Sequence, residues 1–287
     1  ELSNLLIKKQ ESFHAEKDAV YEAGLRSSPY QHTDDTQTRV NGQNQHCHVV
    51  GNPVYSAYHT RPTKERLAIL DVLRNMRERT FRLNREALGY LENVNLSKVT
   101  WQILQSWVNE EDMNEATFSK RLDQALPKLS PPHRKIILDA AAIAAYHAET
   151  DFPVIDLLLC DDAPQFKGLT RLLMLCWIHE GRPYKKLLPV VSCHRDILND
   201  FLKRFWNYYD QLLTYRQSPS AAEHQRLSAE FDRLFSTQTG YAELDKRIAK
   251  TLSKKTNLLL VLKYPELLLH NNSAELAARQ RVRKRDV

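Results

Sequence analysis

The run His32-Thr33-Asp34-Asp35-Thr36 decides how this chain is read. It opens a segment, Tyr30 to Thr60, with the pattern of a three-strand meander, and it puts acidic side chains where a strand is expected to be apolar or neutral. Asn41-Gly42 follows as the strongest short hairpin signal, because both residues tolerate the positive φ of a type I′ turn. A second strand, Gln45 to Val50, stops at the turn signal Gly51-Asn52-Pro53. A third, Val54 to Thr60, is rich in Tyr and Val.

Working outward, the 287 residues suffice for one large domain or two ordinary ones, and 42% hydrophobic content is ample for a core. Only 7 glycines among many Leu, Ala, Glu, Lys and Arg lean the composition toward helix. A net charge of +6 favours an acidic partner, nucleic acid above all. The four cysteines, Cys47, Cys160, Cys176 and Cys193, form no Cys-x-x-Cys pair, which argues against a structural zinc site and for a reducing compartment. No apolar run is long enough to span a membrane, and there is no signal-peptide pattern. The chain opens on Glu1 and ends in a basic helical run, so it reads as an internal portion of a longer protein.

Helical spacing predicts a leading helix from Leu2 to Ala23, with Leu5, Leu6, Phe13, Val20 and Tyr21 on its face, ending near Gly24. A second helix is predicted from Lys64 to about Arg82, with Leu67, Leu70, Leu73 and Met76 inward. From Leu83 to Glu149 the pattern stays helical, with Trp101, Leu104, Trp107 and Val108 as a core stripe. Ile136 to Ala148 is a nearly all-apolar helix after Pro131-Pro132. The period changes at Pro153: Val154 to Cys160 reads as a buried strand, and Leu172 to Ile178 as another. Residues from His194 to about Lys255 are helical again, broken at Ser218-Pro219-Ser220 and at Thr237 to Gly240. Lys203, Arg204, Lys246, Arg247, Lys250, Lys254 and Lys255 supply its positive charge and are expected to be mostly solvated.

A strand that returns after a long helical crossover can pair parallel beside the first strand of a meander. Asp161, at the carboxyl end of the fourth strand, would then approach Asp34, at the end of an open sheet where ligands bind. Two adjacent carboxylates repel unless a cation neutralises them, which predicts a hard divalent metal. Glu275, in Asn271-Asn272-Ser273-Ala274-Glu275, is the candidate third carboxylate. Asp34 and Asp35 face opposite sides of a sheet, so only one of them can serve. Asp35 and Asp162 are expected to be solvated or capping neighbours, and His46 and His48, with no third ligand in reach, to be surface or packing residues.

These residues carry a family resemblance. Asp34-Asp35-Thr36 resembles the D-x-T of the first strand in DDE transposases, and Cys160-Asp161-Asp162-Ala163-Pro164-Gln165-Phe166 resembles their second motif. Asn-Asn-x-Ala-Glu-x-Ala-x-Arg at 271–279 and Cys176-Trp177-Ile178-His179-Glu180-Gly181-Arg182 are similar to stretches of the insertion-sequence 66 group. The first motif here is Asp-Asp-Thr-Gln where that group usually has Asp-Glu-Thr-Pro, which makes the chain a relative and not a close copy.

The resemblance implies an α/β fold with a ribonuclease-H-like mixed sheet of about five strands and large all-helical insertions. Residues 1–29 would be a leading helix and 30–192 the core, with one helical insertion at about 83–149. Residues 193–265 would be a second helical insertion, and 266–287 a truncated third-acid helix. It implies a transposase that cleaves and joins DNA with a pair of Mg2+ ions, for which Mn2+ could substitute, held by Asp34, Asp161 and Glu275. Trp177, His179, Arg182, Arg279 and Arg283 would face DNA, with packing at the end of the fifth strand as the alternative for Trp177 and His179. Arg281, Lys284 and Arg285 would add charge to the last helix. Double-stranded DNA with transposon ends is the implied partner, a homodimer on DNA is allowed, and the implied setting is the bacterial cytoplasm and nucleoid. The alternatives are a related metal-dependent nuclease, or a non-catalytic helical nucleic-acid-binding protein descended from a transposase.

Overall fold

The computed structural model describes residue 8 and residues 10–109 and 111–283. Leu2, Leu5 and Leu6 of the expected leading helix, and Lys284 and Arg285, lie outside the described residues. Helix α1 is Glu11–Arg26. Its inward residues are Tyr21, Gly24 and Leu25, whereas Phe13 and Val20, expected on the same face, are exposed. Gly24 is required by proximity: a Cβ there would lie 2.7 Å from the Tyr55 ring.

The meander is β1 (Tyr30–Val40), β2 (Gln43–Asn52) and β3 (Tyr55–Arg61), antiparallel throughout. Asn41 (φ 49°) and Gly42 (φ 77°) make the hairpin turn between β1 and β2. The second strand runs through Gly51 and Asn52, so the turn falls at Pro53-Val54 and β3 starts one residue later than its sequence suggested.

Helix α2 covers only Arg66–Leu73. The expected continuation to Arg82 fails because Asn75 and Met76 take positive φ (51° and 62°), which ends the helix and leaves Met76 exposed. The expected helical insertion contains α3 (Arg85–Leu91), α4 (Lys98–Ser106), α5 (Glu115–Ala125) and α6 (Pro131–His147). Its β5 (Met113–Asn114) pairs antiparallel with β4 (Thr80–Phe81), which lies just before it, in a small ribbon. The helix starts follow their caps: Asn84, Ser97, Asn114 and Ser130 each accept an N–H of the first turn. Pro131 sits at the start of α6, where its missing N–H costs nothing.

Strand β6 is Leu157–Cys160 and β7 is Leu172–Leu175, both shorter than the apolar runs that signalled them. Cys176 begins a helix instead of extending β7, and α7 is Trp177–Lys185. Next come α8 (Ser192–Gln217), α9 (Ala221–Phe235), α10 (Ala242–Leu252), α11 (Lys255–Leu258) and α12 (Leu260–Lys263). The two breaks fall at Ser218–Ser220 and Thr237–Gly240, as the sequence indicated. The last described helix is α13 (Asn272–Arg283). Among the described residues, no helix is long and apolar enough to cross a membrane.

The sheet order is β3-β2-β1-β6-β7, with β6 parallel to both β1 and β7. The result is a mixed α/β architecture in which a five-stranded sheet separates two helical layers. Strand alternation assigns the layers: Leu157 and Leu159 point into an aromatic core with α7–α12, while Leu158 and Cys160 point into a core with α1–α6. Val49 meets Ala274, Ala277 and Ala278 of α13, and Val50 turns to the other side. The two long helical segments thus bury opposite faces of one sheet.

Candidate active site

The parallel pairing of β1 with β6 runs Tyr30↔Leu157, Gln31↔Leu158, His32↔Leu159. Continued by two residues, that register brings Asp34 to Asp161 at the carboxyl end of β6. Helix α13 packs across β1 and β2 through its small residues, and Tyr58 Oη donates to the Ala277 carbonyl at 3.3 Å. Glu275, in the first turn of α13, is thereby carried over the same end of β1. Asn271 is the joint: its Nδ2 donates to the Thr33 carbonyl (2.6 Å), its N–H approaches Cys176 Sγ (3.3 Å), and its carbonyl accepts the Glu275 N–H (3.1 Å). It is fully buried.

The three carboxylates share an electrostatic environment. Burial pushes the Asp34 carboxyl from 3.8 up to about 6; the Asp35 N–H, donating at 2.9 Å, offsets part of this, and the charges of Asp161 and Glu275 add to it. Asp161 Oδ1 accepts the Ala163 N–H at 3.0 Å, a local turn that fixes its side chain at the strand end. Asp35 lies apart from that group, as strand alternation requires: its Oδ2 accepts from Gln165 Nε2 (3.0 Å) and its Oδ1 lies 3.8 Å from Lys64 Nζ.

Glu275 is held asymmetrically. Arg182 Nη2 donates to its Oε2 at 2.8 Å, and the exposed Arg279 stands 3.7 Å from the same oxygen. Oε1 faces His179 Nδ1 at 3.6 Å, beyond a hydrogen bond, and both of these buried atoms lack a partner. Burial lowers the pKa of His179, the Arg182 charge lowers it further, and Glu275 and Asp161 pull the other way.

Other sequence-selected residues divide clearly. Trp177 does not face DNA: it is fully buried among Phe205, Tyr208, Phe231 and Phe235, and its Nε1 donates to the Leu258 carbonyl at 2.9 Å. Its indole fills the junction between β7, α7 and the α8–α12 unit, so the expectation of a DNA contact is corrected. Arg279 and Arg283 lie on the exposed side of α13. His48 is buried with Nε2 3.2 Å from the Thr63 carbonyl, a packed residue.

Two basic residues expected to be solvated are not. The buried Glu180 of α7 is ion-paired with Arg247, accepts from Thr251 Oγ1 at 2.6 Å, and binds Lys254 Nζ at 2.9 Å. Lys254 also binds Asp162 Oδ2 at 2.7 Å, while Lys167 is 3.1 Å from Asp162 Oδ1. Burial would raise the Asp162 carboxyl, but these two ammonium groups more than offset it and hold it below its ordinary value. A polar chain thus runs from α10 through α7 to the residue beside Asp161. Sequence reading missed this chain and the joint at Asn271, because partners so far apart in the chain leave no local signal.

An oxygen-only donor set suits a hard cation. Asp34, Asp161 and the unpartnered Oε1 of Glu275 are oxygen donors of that kind, and a cation would offset the charges of Asp161 and Glu275 that add to the burial-driven rise of Asp34.

No protein-family model matches the chain, and no solved structure matches it. The chain is similar to a curated protein of Sinorhizobium fredii (strain NBRC 101917 / NGR234), described as "Uncharacterized protein y4jO", with 27% identity over 265 residues. The similarity covers 92% of this chain and 82% of that protein, so it embraces both helical segments as well as the sheet.

Proposed function

We propose that the chain is the catalytic domain of a DDE-type DNA transposase, built on a ribonuclease-H-like core, that cleaves and joins DNA strands. The observation that carries this reading is the approach of Asp34, Asp161 and Glu275, from β1, the end of β6 and α13: Asp34, raised chiefly by burial, also feels the charges of the other two. The four motifs that resemble the insertion-sequence 66 group fall on this one sheet end: the first two and Glu275 supply the acids, and the fourth supplies Cys176, His179 and Arg182. A mixed sheet that begins with a meander and adds two parallel strands supports the fold half of the proposal.

Asp34, Asp161 and Glu275 would hold the Mg2+ pair, with Mn2+ able to replace it; the ions supply activation of an attacking oxygen and stabilisation of the leaving one. Arg182 keeps Oε2 of Glu275 neutralised and leaves Oε1 free. Since burial and Arg182 hold His179 toward its neutral form, its ring can exchange a hydrogen bond with a phosphate or water without adding fixed positive charge. Arg279 and Arg283 lie outward on α13, where phosphates of duplex DNA can reach them. The DNA would carry the element's ends, and two copies could work together on it, in the bacterial nucleoid.

The test is single-turnover cleavage of DNA bearing candidate element ends, with Mg2+ present or chelated. Metal-dependent nicking followed by joining of the freed 3′ end is expected. Asp34→Asn, Asp161→Asn and Glu275→Gln should each abolish both steps while the protein stays folded. Nicking without joining would favour the metal-dependent nuclease, and neither step with intact DNA binding would favour the non-catalytic reading.

A further inference from the structure

Cys176, His179 and Glu275 converge on one point beside the carboxyl end of β7. Their Sγ, ring nitrogen and carboxylate oxygen all lie within 4.8 Å of one another. We infer that these three side chains form a binding site for a borderline-soft transition metal such as Zn2+, distinct in chemistry from the oxygen-only site that shares Glu275.

Geometry and chemistry agree on this. Four-coordinate zinc bonds nitrogen and oxygen at roughly 2.0–2.2 Å and sulfur at roughly 2.3 Å, which sets neighbouring donor atoms about 3.3–3.6 Å apart. His179 Nδ1 and Glu275 Oε1 stand at 3.6 Å, too far to bond each other, and neither has a partner despite being buried. Two unpartnered polar atoms at a tetrahedral edge, with a sulfur beside them, make a half-formed coordination shell. A thiol is a poor ligand for Mg2+, so this donor set selects a softer ion than the three carboxylates do.

The surroundings are those of a ligand set. Cys176 Sγ accepts the Asn271 N–H at 3.3 Å, an outer partner that fixes the sulfur in place. Arg182 holds Oε2 of Glu275 and so turns Oε1 toward His179, as outer partners of ligating carboxylates do. Cys176 is buried, while the side chains of His179 and Glu275 are partly exposed. Glu275 Oε1 cannot serve both ions at once. A zinc-loaded chain therefore loses its third acid; this consequence rests on the DNA-cutting reading, but the site itself does not.

Co2+ is the probe, because cobalt bound to a thiolate gives a ligand-to-metal charge-transfer band that an oxygen-only site cannot produce. The reduced, chelator-stripped chain should develop this band on Co2+ titration, saturate at one ion per chain, and lose it on addition of Zn2+. Cys176→Ser should abolish the band while the far-ultraviolet circular dichroism stays that of the parent. His179→Gln should weaken cobalt binding by roughly tenfold or more. Cys193→Ser, which alters the exposed cysteine, should change nothing. Absence of the band in the parent chain, or its survival in Cys176→Ser, would overturn the inference. With the site intact, Zn2+ should also block Mg2+-dependent cleavage; if the band is present and no cleavage occurs under any condition, it is the DNA-cutting reading that fails.

Discussion

The two helical segments on either face of the sheet are attached to it in different ways. The segment from α3 to α6 packs by apolar surface: α6 lays Ala140 to Tyr146 into a core with Ile69, Phe81, Leu91, Phe118 and Leu158. Its nearest polar ties to the site side are Arg66 of α2, reaching Asp139 at 3.3 Å and the Pro164 carbonyl at 3.2 Å. The segment from α8 to α12 builds an aromatic core around Trp177 and in addition sends Arg247 and Lys254 to Glu180, and Lys254 on to Asp162. Both segments reach the loop after Asp161, the first through the single Arg66 bridge to the Pro164 carbonyl and the second through the ion pair of Lys254 with Asp162 beside it. An insertion can therefore be part of the site without contributing a catalytic group.

The largest effect should come from the two aromatic anchors. Trp177→Ala and Phe118→Ala each remove a fully buried ring and should each cost about 3–5 kcal/mol in urea unfolding. Their effects on metal binding by the remaining folded protein should differ. Binding falls in Trp177→Ala, whose indole sets the start of α7, and persists in Phe118→Ala. Equal metal binding by both variants would break the distinction between the segments.

Glu180→Gln comes next. It leaves Arg247 and Lys254 without their buried counter-charge, and a loss of about 3 kcal/mol is expected from denaturant titration. Lys254→Ala should be costlier than Lys203→Ala, which touches an exposed position of α8 and should stay within about 0.5 kcal/mol. Both lysines looked alike in the sequence, so this pair sharpens the contrast between a solvated charge and a coupling one.

A smaller and pH-dependent effect is expected at Asp34. Its folded carboxyl titrates at about 6 against an ordinary 3.8, so the folded state holds the proton more tightly than the unfolded one. This group therefore favours folding below about pH 4, and the contribution is lost as the pH rises toward 6. Asp34→Asn should raise metal-free stability at pH 7 by on the order of 1–3 kcal/mol, and the gain should vanish near pH 4 in melting experiments. Stabilisation that is the same at both pH values would show that Asp34 is not under carboxylate strain.

Much of the sheet was legible because it depends on local signals. Asn41-Gly42 fixed the hairpin, strand alternation separated Asp34 from Asp35, and the change of period after Pro153 marked β6. The sites of failure depend on partners distant in sequence. The ribbon β4–β5 consists of two-residue strands that exist only by pairing with each other, and α2 stops early where Asn75 and Met76 turn left-handed. The Arg182–Glu275 pair was not legible because its partners lie far apart in the chain, and for Trp177 only the burial decides between packing and DNA contact, since an aromatic beside a motif histidine carries no sign of it. Arg247 and Lys254 read as solvated for the same reason: Glu180 lies in a different helix.

The central claim is that Asp34, Asp161 and Glu275 act as one site for hard divalent ions. Calorimetric titration of Mn2+ into the folded, cysteine-reduced chain tests it directly, without a DNA substrate. Binding should be saturable in the parent and lost in Asp34→Asn, Asp161→Asn and Glu275→Gln alike, while Asp35→Asn, on the opposite face of β1, retains it. Parent-like Mn2+ binding in all three variants, or its loss in Asp35→Asn alone, would contradict the account.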